Sequence, residues 1–158
     1  MAKTSAGILL YRRREGAVEV LLAHMGGPFW AGREEGAWTL PKGEHGDDER
    51  PLDAARREFE EELGLPPPEP AQGGAVDLGS VRQSGGKVVT AFAIEGDIDA
   101  GAVTSNTVSL EWPRGSGRTV TFPEVDRAAW FTVDEARPLL VKAQALFLDR
   151  LTEAIGMV

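Results

Sequence analysis

Apolar and polar positions follow two different periods along this chain, and the changes of period divide it into elements. Residues 6–11 and 18–24 are short apolar runs on either side of the polar joint Arg12-Arg13-Arg14-Glu15-Gly16, which predicts two neighbouring strands. Residues 25–36 hold Gly26, Gly27, Pro28, Gly32 and Gly36 and predict a loop, and residues 37–40 predict a short strand leading into Pro41-Lys42-Gly43. The period then becomes helical. Leu52, Ala55 and Phe59 form one apolar face, Pro51 suits the first helical position, Gly64 suits the C′ position, and Pro66-Pro67-Pro68 forbids continuation. Arg50 is a poor N-cap, whereas Asp53 suits the first turn.

The second half is mostly extended. Residues 71–74 read as a linker-like loop, and residues 75–82 and 87–94 as strands around the turn Ser84-Gly85-Gly86. Residues 106–112 and 118–122 predict another hairpin, polar at its tip near Glu111, Arg114 and Arg118. Residues 125–131 predict a strand, and Thr132 with Glu135 forms a capping-box pattern that opens a short helix. Pro138 is expected to interrupt that helix. Residues 139–155 are expected to resume it, with Ala143, Leu146, Phe147, Leu151 and Ile155 against the core. With no repeat and no domain-sized linker, the expectation is one domain over residues 1–158, of α+β class, layered as an α/β/α sandwich with a mixed central sheet.

Composition narrows the function. The chain has 158 residues and no cysteine, which excludes a disulfide framework, a thiolate metal site and a cysteine nucleophile, and suits a reducing, cytoplasmic setting. The apolar run at residues 8–11 is too short for a signal-peptide core, and no run approaches membrane-spanning length, so no membrane association is expected. A net charge of −8 argues against a nucleic-acid polymer as partner. A phosphorylated small molecule stays compatible, because bound cations reverse the local field.

The candidate chemistry lies in residues 43–65. A helix there places Glu58, Glu61 and Glu62, at spacings i, i+3 and i+4, on one face. Such crowded like charges repel unless a cation sits among them. Hard divalent cations such as Mg²⁺ take oxygen ligands and keep open positions for water and phosphate. Written out, the stretch is Gly43, five residues, Glu49, seven residues, Arg57-Glu58-Phe59, one residue, Glu61-Glu62, one residue, Gly64-Leu65. This resembles the Nudix box, the signature of the Nudix hydrolase family, at every fixed position, and the order of elements around it is also similar.

The resemblance implies a Nudix-type pyrophosphohydrolase that uses Mg²⁺, with Mn²⁺ as a substitute, to cut a phosphoanhydride bond in a nucleoside diphosphate linked to another group. It implies metal ligands at Glu58, Glu61 and Glu62, a supporting carboxylate at Glu49, a backbone carbonyl from Gly43, and Arg57 as the residue that orients a catalytic glutamate. The general base varies among members: it is Glu58, or a carboxylate outside the box, for which Glu124 is the candidate with Asp126 behind it. The segment Leu40-Pro41-Lys42-Gly43 resembles members acting on dinucleoside polyphosphates, diphosphoinositol polyphosphates or some nucleoside triphosphates; housecleaning of modified nucleoside triphosphates is the alternative, and nucleotide sugars are a third class. Members are often homodimers. A different class of function is a catalytically silent module that binds a nucleotide derivative, although such a module would be expected to lose box glutamates.

Several other residues have two readings. Phe29 and Trp30 pack their own loop or offer a platform to a flat group such as a base. Lys42, Lys87 and Arg114 meet phosphates or stay solvated. Glu60, Asp47 and Asp48 read as solvated acids, Arg12-Arg13-Arg14 as a solvated turn, His24 and His45 as packing or surface residues, and Trp38 and Trp130 as core.

Overall fold

The computed structural model describes residues 4–70 and 74–156, so the expected loop at residues 71–74 lies largely outside the described residues. Nine strands follow in order: β1 (Thr4–Arg14), β2 (Ala17–Met25), β3 (Trp38–Thr39), β4 (Lys42–Glu44), β5 (Val76–Arg82), β6 (Val88–Glu95), β7 (Thr107–Glu111), β8 (Thr119–Pro123) and β9 (Val125–Thr132). Three α-helices accompany them: α1 (Pro51–Leu63), α2 (Val133–Leu139) and α3 (Ala145–Ala154). Seven strands make one sheet. The path β3-β2-β1-β6-β5 is joined by β4 on β1 and by β9 on β2, and β7 with β8 forms a separate ribbon. The β1–β6 pair is parallel and the others are antiparallel, so the sheet is mixed as expected.

Strand periodicity explains the layers. Along β1, Ala6, Ile8 and Leu10 face the side that α1 covers, where they meet Ala55, Phe59 and Leu63. Leu9 and Tyr11 face the other side, where they meet Phe147, Leu148 and Leu151 of α3. A strand buried on both faces reads as a continuous apolar run, which is why Ile8-Leu9-Leu10-Tyr11 shows no alternation. Phe59 is fully buried; removing such a side chain from water is worth about 1.5–3 kcal/mol.

β1 and β2 separate. They pair through Arg14↔Ala17 to Tyr11↔Val20, and beyond that their ladders diverge. The segment from residue 38 to residue 44 fills the opening, with β3 pairing β2 at Ala23↔Thr39 and β4 pairing β1 at Gly7↔Lys42. Ile8 N–H donates to the Pro41 carbonyl at 3.1 Å at the apex of this wedge. Gly7 permits the close approach: a Cβ there would lie 2.5 Å from the Pro41 oxygen.

From the far side, the wedge is held by the fully buried Gln144. Its Oε1 accepts from Leu40 N–H at 3.0 Å, and its Nε2 donates to Thr39 Oγ1 at 2.9 Å and Gln83 Oε1 at 2.8 Å.

Three expectations change. The helix expected over residues 139–155 is absent as one piece. Pro138 sits in the last turn of α2, and Leu140 bridges Trp38 in parallel, with Val141 N–H bonded to the Trp38 carbonyl at 2.9 Å. A 3₁₀ turn at Lys142–Gln144 then precedes α3. This break resets the helical phase, so the buried face is Phe147, Leu148 and Leu151, while Leu146 is 51% exposed. The run Arg12-Arg13-Arg14 is strand, and Glu15-Gly16 alone makes the turn, both at positive φ. Arg12 bonds Glu19 at 2.8 Å and Asp97 at 2.9 Å with its guanidinium 4.1 Å from the Trp130 ring centre.

Gln144→Leu keeps the volume and removes the acceptor for Leu40 N–H. An unsatisfied buried donor costs about 1–3 kcal/mol. We expect thermal unfolding followed by circular dichroism to show a Tm lower by roughly 2–4 °C per kcal/mol lost; an unchanged Tm contradicts this role for Gln144.

Candidate active site

The local chemistry of α1 sets the site. Arg50 makes no side-chain capping bond, Pro51 opens the helix, and Gly64 closes it in the left-handed conformation with its N–H on the Glu60 carbonyl at 2.8 Å. Ala54, Ala55, Phe59 and Leu63 face the sheet and fix the helix rotation. That rotation places Glu62 at the edge of the core, only 7% exposed, and turns Glu58 onto β4. Gly43 is required there, since a Cβ would lie 2.0 Å from the Glu58 carboxylate. Lys42 N–H donates to Glu62 Oε1 at 3.2 Å.

Burial dominates the electrostatics. The Glu62 carboxyl is pushed up to about 8, first by burial and then by the negative charge of Glu124, with Lys42 acting in opposition. Glu58 is also raised, chiefly by burial, while its bond from Arg57 pulls the other way. The Lys42 ammonium is lowered by burial first, and the nearby charge of Lys87 lowers it further. Buried acid and buried base are thus both driven toward neutrality, the mark of a pocket short of water and of compensating charge.

Arg57 organises the outer acids. Its Nε and Nη2 grip Glu49 at 2.9 and 2.8 Å, and its Nη1 reaches Glu58 at 2.8 Å and Glu61 at 3.2 Å. The fork on Glu49 lowers that carboxyl below its usual range.

Glu62 lines a cleft of about 860 Å³. Of the sequence-predicted residues, Phe29, Trp30, Lys42, Lys87, Arg114 and Glu124 line it too. Glu49, Glu58, Glu61 and Arg57 form the neighbouring cluster on α1, with Gly43 against Glu58. Asn106 Nδ2 donates to Glu124 Oε1 at 3.3 Å. Asp126 is committed elsewhere, with its Oδ1 2.9 Å from Nδ1 of the buried His24, whose Nε2 meets the Arg33 carbonyl at 2.6 Å. That pairing ties the glycine-rich loop to β9. The hairpin at residues 106–122, read from the sequence as a substrate-facing or partner-facing insertion or a cover for a sheet edge, supplies Val108, Leu110, Trp112 and Phe122 to the cleft, residues that sequence reasoning did not single out. Their signal was an alternating apolar set on a hairpin with no core to face.

The donor set is all oxygen, which fits a hard divalent cation. In the side-chain arrangement present, no three acids converge at metal-binding spacing among the described residues. Arg57 holds Glu58 and Glu61 from one side while Glu62 turns inward to the Lys42 amide.

Comparison with known proteins bears on the family and the fold. Residues 1–151 match the family model described as the NUDIX domain. No curated protein matches the sequence. Among solved structures, a C. elegans Ap4A hydrolase binary complex is 18% identical with a TM-score of 0.63, covering 98% of both chains. The NUDIX domain of Shewanella oneidensis NrtR complexed with ADP ribose is 15% identical with a TM-score of 0.65, covering 98% of this chain and 89% of that one. A Nudix hydrolase from M. smegmatis, RenU, is 26% identical with a TM-score of 0.57, covering 97% of this chain and 85% of that one.

The raised Glu62 value fixes a pH dependence. Folding favours the protonated carboxyl, so ionisation weakens the fold progressively as pH rises from the ordinary glutamate value of about 4.5 to about 8. Glu62→Gln mimics the protonated form. In metal-free buffer, the stability of E62Q relative to the parent protein should be near zero below pH about 4.5 and rise by a few kcal/mol by pH ~8. Urea unfolding at several pH values checks this, and a pH-independent difference contradicts it.

Proposed function

This chain belongs to the NUDIX domain family as a Nudix-type pyrophosphohydrolase, and on that premise we propose that it hydrolyses a nucleoside diphosphate linked to another group. Dinucleoside polyphosphates and nucleoside triphosphates are the favoured substrates. The carrying observation is the cleft that places Glu62 and Glu124 beside Lys42 and Lys87. Glu58, Glu61, Glu62 and the Gly43 carbonyl would hold Mg²⁺, or Mn²⁺ in its place. When bound, the cation supplies charge neutralisation as the phosphoanhydride breaks.

The chain's own residues do the rest. Lys42 and Lys87 face the phosphates, and Arg114 adds a third cation at the cleft. Arg57 keeps Glu49 and Glu58 in place and holds Glu58 toward its ionised form against burial. Glu124 serves as general base. It takes the proton of a water whose oxygen attacks phosphorus, and the bridging P–O bond breaks with its electron pair leaving on the departing phosphate. Glu124 is preferred over Glu58 because it lines the cleft, whereas Glu58 is bonded to Arg57.

For localisation, no helix among the described residues is long and apolar enough to cross a membrane. Phosphorylated small molecules are the proposed partners, a cytoplasmic setting the proposed location, and a homodimer the proposed assembly.

A substrate panel with phosphate and pyrophosphate release measured separately, in Mg²⁺ and in Mn²⁺, tests the reading and identifies the bond cut. On any substrate found, Glu124→Gln should lower kcat about 10²–10⁴-fold, and Glu61→Gln should lower turnover by orders of magnitude with Tm unchanged. Near-normal turnover in E61Q contradicts its assignment as a ligand. Ligand-dependent thermal stabilisation without product across the panel favours the silent binding module instead.

A further inference from the structure

The described residues leave four large hydrophobic side chains exposed: Phe29 at 47%, Leu110 at 42%, Trp112 at 36% and Leu146 at 51%. Three of the four, all but Leu146, line the one cleft that also holds Glu62 and Glu124. Exposed apolar surface gathered in this way marks a binding face.

Two walls supply it. One is the glycine-rich loop, where Phe29 and Trp30 meet edge to face at 4.8 Å and the Arg33 guanidinium stacks 4.5 Å from the Phe29 ring centre. The other is the β7–β8 ribbon. Its register, Val108↔Phe122 and Leu110↔Val120, puts these residues and Trp112 on one face, while Ser109 and Thr121 bond each other at 2.7 Å on the opposite face. Among the described residues no helix covers that apolar face. The ribbon is seated rather than loose. Glu124 N–H donates to the Asn106 carbonyl at 2.9 Å, and Gly26 N–H donates to the Glu124 carbonyl at 2.9 Å. Its tip is fixed by Glu111, whose carboxylate accepts from Gly115 N–H at 2.7 Å and Gly117 N–H at 3.1 Å. Five-residue strands carry the tip roughly 15 Å from the base beside Glu124.

We infer that this ribbon is a base clamp: Trp112 and Leu110, opposite Phe29 and Trp30, grip the planar ring of a nucleotide whose phosphates lie toward Lys42 and Lys87. The inference rests on the proposed hydrolase reading and narrows its substrate class to molecules that carry a planar base, setting aside diphosphoinositol polyphosphates, whose puckered inositol ring offers no flat face to stack. Charge complementarity selects this occupant over a second copy of the chain. An apolar protein surface laid on the cleft would bury Lys42, Lys87 and Arg114 without partners. A nucleotide brings phosphate to the cations and a flat apolar face to the aromatics. Base stacking on aromatic side chains is tolerant of which base is present.

Calorimetric titration of the full chain with AMP and with pyrophosphate, each in Mg²⁺, tests the clamp. AMP should bind the parent protein. Trp112→Ala should weaken AMP by about tenfold or more, while pyrophosphate affinity holds and Trp112→Phe stays within about threefold of the parent. Failure of AMP to bind the parent protein at millimolar concentration overturns the inference. So does equal AMP affinity in W112A, or equal weakening of both ligands. Sedimentation showing a dimer that W112A dissociates with AMP affinity intact overturns it in favour of a subunit interface. The underlying hydrolase reading fails separately: AMP binding that depends on Trp112 with no anhydride cut leaves the clamp standing without the enzyme. Anhydride hydrolysis with AMP affinity indifferent to Trp112 does the reverse.

Discussion

The candidate site on α1 is built on the divergence of β1 from β2 and on the wedge that fills it. Two strands that stayed paired to their ends would close the sheet and leave the residue 38–44 segment on the surface. Because they part after Tyr11↔Val20, that segment enters the sheet with one half on each strand, and the Pro41 carbonyl bonds back to Ile8 at the apex. The wedge then delivers Lys42 and Gly43 against α1. The missing side chain at Gly43 lets the Glu58 carboxylate approach, and the Lys42 N–H donates to the Glu62 carboxylate. Gln144 braces the wedge from the opposite layer, so both layers of the sandwich contribute to one site.

The electrostatic consequence is a site held short of charge. Glu62 and Lys42 are both buried enough to drift toward their neutral forms, and Glu58 is raised by burial as well, with only its bond from Arg57 pulling the other way. Such an arrangement weakens the fold on its own, because burial of ionisable groups is unfavourable unless something offsets it. In the proposed function, a divalent cation among the glutamates and phosphates along the lysines would supply the missing terms together. That proposal accounts for a cleft lined by Lys42, Lys87 and Arg114 in a protein with a net charge of −8.

The parts of this account that were legible in the sequence are those governed by local rules. The extent of α1 followed from Pro51 and Gly64, and the capping box at Thr132 and Glu135 forms as its pattern indicates. Spacing put Glu58, Glu61 and Glu62 on neighbouring turns of α1, but did not announce the inward turn of Glu62 to the Lys42 amide while Arg57 holds Glu58 and Glu61. Long-range pairing was not legible. The parallel bridge between Trp38 and Leu140 breaks the expected C-terminal helix, and nothing local to residues 139–144 announces it. Asp126 was placed in reserve behind Glu124, but its partner His24 lies 102 residues away in sequence. The apolar alternation at Val108, Leu110 and Trp112 was visible, yet a ribbon facing a cleft reads the same as a ribbon facing a core until the layers are known.

The central claim is that the buried acids of α1 form a cation site whose protons are displaced on binding. It is tested most directly by calorimetric titration of Mn²⁺ into the protein at pH 7 in buffers of different ionisation enthalpy, a measurement that needs no substrate. With Glu62 near 8, the account predicts saturable binding that releases about one proton, because a ligating carboxyl must be ionised. It predicts that this proton disappears in Glu62→Gln. Absence of binding, or binding with no proton released from the parent protein, would contradict it.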